Sequence, residues 1–152
     1  MHQTAKGQQW YFGMKAHLGV DSKTKLIHTI LASAAHVAAL PYLRHGQETR
    51  VGGDQGYQGL RAAIHRCAPR AKDFTNRTYR RNGQTNGIEK AKNRNKSGVC
   101  SKVEHVIGVI KRVFGFQQVR YRGLAKNLHR LEVTAALANL FLVRRRLLRM
   151  AG

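Results

Sequence analysis

Acidic residues are scarce in this chain of 152 residues. Seven Asp and Glu stand against 28 Lys and Arg, a formal net charge of +21. A globular protein with that imbalance repels itself unless a polyanion binds it. Cysteine is also rare. Cys67 and Cys100 lie far apart and form no CxxC pair, which argues against a structural zinc site. Proline occurs twice, so collagen-like and Pro-rich classes are excluded. No apolar run approaches the ~20 residues that span a bilayer, and the residues after Met1 form no apolar leader. HExxH, the GxxxxGK[ST] phosphate loop and the GxSxG serine elbow are all missing. Hydrophobic residues make up 42%, enough for a core, and the length fits one domain.

Strand signals come first along the chain. Phe12, Met14, Ala16, Leu18 and Val20 alternate with Tyr11, Gly13, Lys15, His17 and Gly19, a period of two with one apolar face. Asp21 to Lys25 is a polar turn, and Leu26 to Leu31 resumes as the second arm of a hairpin. His17 and His28 fall on these strands as packing or surface residues. A short helix is expected over Ala34–His45, a strand near Thr49–Gly53, and a helix opening at Leu60–Arg66. Residues 68–101 are rich in Lys, Arg, Asn, Gly and Gln. They predict a long basic loop with one poor strand near Asp73–Thr75. Val103, Val106, Ile107, Ile110 and Phe114 then form a helical stripe that ends near Gly115-Phe116. A second long helix is expected from Leu124 to Leu148, its apolar face formed by Leu128, Leu131, Ala135, Leu137, Leu140, Phe141 and Leu147.

With so few acids, their positions carry information. Asp21 belongs to a turn, where Asp accepts from nearby amides. Glu48, Asp73, Glu89 and Glu132 read as surface charges. Asp54 ends a strand and opens the Gly-rich stretch Gly53-Asp54-Gln55-Gly56-Tyr57-Gln58-Gly59, a place where sheets present side chains to ligands. Glu104 opens an apolar helix, and Lys111 lies seven residues on, along the same face. Two carboxylates on separate elements amid positive charge suit a divalent metal that then receives phosphate oxygens. The competing reading is a capping Asp54 and a Glu104 stabilised in a first helical turn.

Five blocks in order carry a family resemblance. They are Gln9-Trp10-Tyr11-Phe12-Gly13-Met14-Lys15-Ala16-His17, Gly53 to Gly59, Lys102-Val103-Glu104-His105 with Ile110-Lys111-Arg112, Val119 to Asn127, and the closing Leu140–Leu148. Together they resemble the IS5-type insertion-sequence transposases of the IS4/IS5 superfamily. The resemblance implies an α/β, RNase H-like DDE catalytic domain, a mixed sheet with flanking helices. It implies DNA, element ends and target, as partner, and Mg²⁺ or Mn²⁺ as cofactor. In such enzymes three acids hold two metal ions for strand cleavage and transfer. Asp54 matches the second acid, Glu104 the third, and Lys111 the family's basic partner on that helix. Arg112, Tyr57, Arg120, Arg122 and Lys126 are the further DNA-contact candidates. A cytoplasmic, nucleoid-associated protein follows, working as a homo-oligomer or in mixed oligomers with a complete transposase.

The chain also departs from the family. The first acid lies on a first strand, upstream of the segment matching Met1-His2-Gln3-Thr4, and Asp21 sits at the wrong end of the hairpin to replace it. Cys100 and Ser97 stand where the family has arginine and tyrosine, and His36 to Ala39 lack the usual acid. The expectation is therefore one incomplete catalytic domain over 1–152, without its first central strand, with the basic loop inserted at about 68–101, and inactive alone. A non-enzymatic DNA-binding chain that modulates a full transposase is the main rival. A basic RNA-associated protein is the third reading, disfavoured because it needs no acid at a strand end. Lys90, Lys92, Arg94 and Lys96, near Arg77, Arg80 and Arg81, and the Arg144-Arg145-Arg146 run supply phosphate-binding charge for any of these.

Overall fold

The structure is a computed structural model. It describes residues 2–6, 9–34, 48–54, 57, 59 and 61–152. The helix expected over Ala34–His45 falls almost wholly outside the described residues.

Three strands open the chain: β1 (His2–Lys6), β2 (Gln9–Val20) and β3 (Ile27–Ala34). β1 is an element that the alternation from Trp10 onward does not reveal. It pairs antiparallel with Gln9–Gly13, while β3 pairs antiparallel with Met14–Val20. The polar turn between β2 and β3 is held by Asp21, whose carboxylate accepts from the Lys23 and Thr24 amides at 2.9 and 2.6 Å. These bonds keep its carboxyl below the ordinary range, the Thr24 amide contributing most.

A βαβ unit follows: β4 (Arg50–Gly53), α1 (Arg61–Cys67) and β5 (Lys72–Thr75), with β4 and β5 parallel. A parallel pair needs a crossover, and α1 supplies it. Next comes a small hairpin, β6 (Arg80–Arg81) and β7 (Gln84–Thr85), then two long helices, α2 (Gly87–Arg112) and α3 (Leu124–Ala151). Among the described residues the strands form three separate sheets, not one mixed sheet.

Residues 87–101 are therefore helical, which corrects the long basic loop expected there. Asn86 caps α2, its side chain accepting from the Glu89 amide at 3.1 Å. Charged and amide side chains on a solvated helix leave no apolar period to read, so this half of α2 looks like loop in sequence. The helix stops at Arg112, and Gly115 takes a left-handed φ of 63° just beyond.

Two hydrophobic clusters hold the fold. The larger joins Ile27 to Val106, Val109 and Ile110 of α2 and to Leu131, Ala135 and Ala138 of α3. The smaller gathers Val51, Ile64, Ala68 and Ala71 around the βαβ unit, with Tyr57 packed on it. The face expected for α3 needs correction. Leu137, Leu140 and Leu147 are 45%, 57% and 46% exposed, and the buried positions are Asn127, Leu131, Thr134, Ala135 and Ala138. Small residues at 135 and 138 let α3 approach β3 closely. There the Asn139 amide both accepts from the Ile27 N–H and donates to its carbonyl, each at 2.9 Å.

Candidate functional site

Asp54 follows directly on β4 and is exposed. Its position is set by the two glycines before it. A side chain at Gly52 would meet Val99 Cγ1 of α2 at 3.5 Å, so β4 runs close beneath that helix. At Gly53 the space is taken from within the molecule. A Cβ there would stand 3.2 Å from both Thr75 Cγ2 and Tyr57 Cδ2, so this glycine admits packing, not a ligand. The Tyr57 amide donates to the Asp54 carbonyl at 3.2 Å, closing a tight turn.

Glu104 projects from the middle of α2 and is also exposed. Cys100, one turn earlier on the same face, links the two acids. Its thiol is pushed up by burial first, then by the negative charge of Asp54 and of Glu104. One half-buried sulfur thus feels the charge of both carboxylates. Tyr57 is raised in the same way, by burial and by Asp54.

On its far side Glu104 borders an open groove of about 480 Å³. Ile107, Gly108, Lys111, Arg112 and Gln117 complete its walls. At Gly108 a Cβ would meet nothing within 4 Å. The groove therefore pairs one carboxylate with two cations, and those cations suit a phosphate. Asp54 does not line it. Tyr57 is half-buried and packed on the smaller cluster.

Arg120, Arg122 and Lys126 are exposed on the segment that leaves the groove after Gln117. A residue given no role in sequence holds that segment. Asn127 is fully buried and uses all its amide capacity. Its oxygen accepts from the Arg120 and Tyr121 amides, both at 3.2 Å. Its nitrogen donates to the Tyr121 and Gly123 carbonyls at 2.6 and 2.7 Å. The only hint in sequence is that an amide ends the Val119–Asn127 block. Arg130 is drawn aside, stacked 4.5 Å over the Phe116 ring and bonded to the Gln118 carbonyl.

The carboxylates of Asp54 and Glu104 are hard oxygen donors, suited to Mg²⁺ or Mn²⁺. No group of three or more His, Cys, Asp or Glu side chains able to hold a metal ion occurs among the described residues. The fit is thus partial: two donors, with no third supplied by the described residues. No described helix is long and apolar enough to cross a membrane.

In comparison with known proteins, the model of the family described as the transposase DDE domain matches residues 1–140. No solved structure matches the chain.

Proposed function

Because this chain belongs to the transposase DDE domain family, whose members act on DNA, we propose that it carries part of an IS5-type, RNase H-like catalytic site. Asp54 and Glu104 are its second and third acids. Lys111 and Arg112 bind a DNA phosphate in the groove beside Glu104, and Arg120, Arg122 and Lys126 extend the contact along the backbone. The observation that carries this reading is the groove lined together by Glu104, Lys111 and Arg112, and the charges of Asp54 and Glu104 both reach the Cys100 thiol. In such sites a divalent ion supplies Lewis acidity toward phosphate oxygens. The chain's own residues do the rest: the two carboxylates hold charge at a defined point, and the cations orient the backbone. Residues 1–152 form one incomplete catalytic domain, which binds DNA without completing cleavage.

A second reading is a non-enzymatic DNA binder that joins mixed oligomers with a complete transposase. The exposed stripe Val133, Leu137 and Leu140 on α3 favours it, because a chain that works alone has little reason to present that face.

Purified protein with duplex DNA bearing the element's ends tests both. Binding should fall steeply with salt and survive Asp54→Asn and Glu104→Gln, with no Mg²⁺-dependent nicking in any variant. Binding that ignores salt would overturn the DNA assignment. Cleavage by the unmodified chain, lost in both variants, would overturn its inactivity while keeping the site.

A further inference from the structure

The β6–β7 hairpin serves neither hydrophobic cluster. Every residue from Arg80 to Ile88 is exposed. Its shape is nonetheless tightly specified. Asn82 and Gly83 take left-handed φ values of 49° and 77°, the two central positions of a type I′ turn. Arg81 pairs with Gln84 and Arg80 with Thr85. The Asn86 amide donates to the Tyr79 carbonyl at 2.8 Å and closes the base. Below it, Asn93 of α2 accepts from the Arg77 amide at 3.1 Å and donates to the Arg77 carbonyl at 2.6 Å. Asn93 is buried, so the hairpin is seated on the helix by a desolvated amide.

A specified hairpin with no apolar contact to protect is suited to contact outside the molecule, and its charge identifies the partner. Residues 76–102 hold eight Lys and Arg against the single acid Glu89. Glu89 is already engaged by Lys92 at 3.4 Å. Arg80, Arg81, Lys90 and Arg94 are exposed, and the last two stand one turn apart on α2.

We propose that the β6–β7 hairpin enters the major groove of duplex DNA and holds it through Arg80 and Arg81, with Lys90 and Arg94 on the adjoining phosphates. The inference rests on the DNA-binding reading above. A groove about 12 Å wide admits a two-stranded ribbon. Neighbouring residues of a strand point to opposite faces, so Arg80 and Arg81 reach opposite walls. Lys90 and Glu104 lie on one helix about 21 Å apart along its axis, at ~1.5 Å per residue. That span is roughly six base pairs at ~3.4 Å each. A duplex laid along α2 therefore meets the hairpin and the acidic site together.

Fluorescence anisotropy with a mixed-sequence DNA duplex across a salt series tests the proposal. Each phosphate contact contributes about 0.9 to the slope of log K against log salt. Arg80→Ala with Arg81→Ala should lower that slope by about 1.8. Gly83→Ala keeps every charge but strains the turn, and a Cβ there meets nothing within 4 Å. It should also lower the slope, with the unfolding midpoint of the whole chain little changed. An RNA duplex, whose major groove is too deep and narrow to enter, should bind the parent with the weaker slope of the variants. If Gly83→Ala binds like the parent while the arginine variant weakens, loose charge and not the hairpin makes the contact, and the proposal fails. If both variants bind like the parent, it fails outright. A parent with no salt-dependent DNA binding overturns the DNA reading itself.

Discussion

Cys100 sits where the fields of two carboxylates overlap. Burial and the charges of Asp54 and Glu104 all raise its thiol, so at mildly alkaline pH it holds less thiolate than an ordinary cysteine. Neutralising either acid removes a charge that opposes thiolate formation. Asp54→Asn or Glu104→Gln should therefore lower the thiol's titration point and speed Cys100 alkylation several-fold at pH 8, the gain fading as pH rises past both titration points. Mass spectrometry of the separated peptides reads this, because Cys67 is exposed and reacts as an internal reference. Equal rates in parent and variants would show that the two charges do not reach Cys100. Asp54 and Glu104 were selectable from sequence because acids are rare here and each sits at the edge of an apolar element. Cys100 looked like a departure from a family pattern, since a field made by two distant residues leaves no local mark. The same holds for His17. It sits on a strand that predicts packing or surface, and it proves buried, with Nε2 2.7 Å from Ser33 Oγ. Burial and then the Lys15 charge lower its basicity.

Three helix asparagines work alike at the scale of elements. Asn93, Asn127 and Asn139 each bond both the N–H and the C=O of one residue in a non-helical segment: Arg77, Tyr121 and Ile27. Each offers the pairing that a neighbouring strand would offer. They dock the hairpin base, the Arg120–Arg122 segment and the start of β3 onto α2 or α3. Asn127→Ala empties a buried site and removes its four hydrogen bonds to the Arg120, Tyr121 and Gly123 backbone, which should cost about 2–3 kcal/mol, read as a lower urea midpoint. It should also weaken DNA binding, because Arg120 and Arg122 lose their fixed frame. A conservative change at exposed Lys126 should leave the midpoint alone. In sequence Asn93 and its neighbours Asn86 and Asn95 read as loop formers, which is why a loop is expected over the first half of α2. The buried face of α3 differs from the one its leucines predict. Leucines occur on more than one side of that helix, so periodicity cannot choose the buried face, and the small Ala135 and Ala138 beside Asn139 decide it.

Across the whole molecule, 28 basic residues face seven acids over two modest clusters. Helix α2 touches both, with Val106, Val109 and Ile110 in the larger and Val99 over β4 beside the smaller. That helix carries Glu104 and lies over β4, which leads directly into Asp54. Self-repulsion at this charge opposes compaction, and mobile ions screen it over ~10 Å at 0.1 M. Added sodium chloride should raise the thermal midpoint, by roughly 2–4 °C for each kcal/mol of repulsion relieved, while it weakens DNA binding. A midpoint that falls with salt would contradict a charge-limited fold. Composition alone pointed to a polyanionic partner, and spacing alone located the β2–β3 hairpin, the strand and helix at β4 and α1, the second half of α2 and the span of α3. Those features depend on nearest neighbours and on period. The docking of α2 over β4, the buried face of α3 and the hairpin seated by Asn93 were decided by contacts between residues distant in sequence. Such contacts depend on which surfaces fit and which polar groups find partners, and no local pattern encodes that.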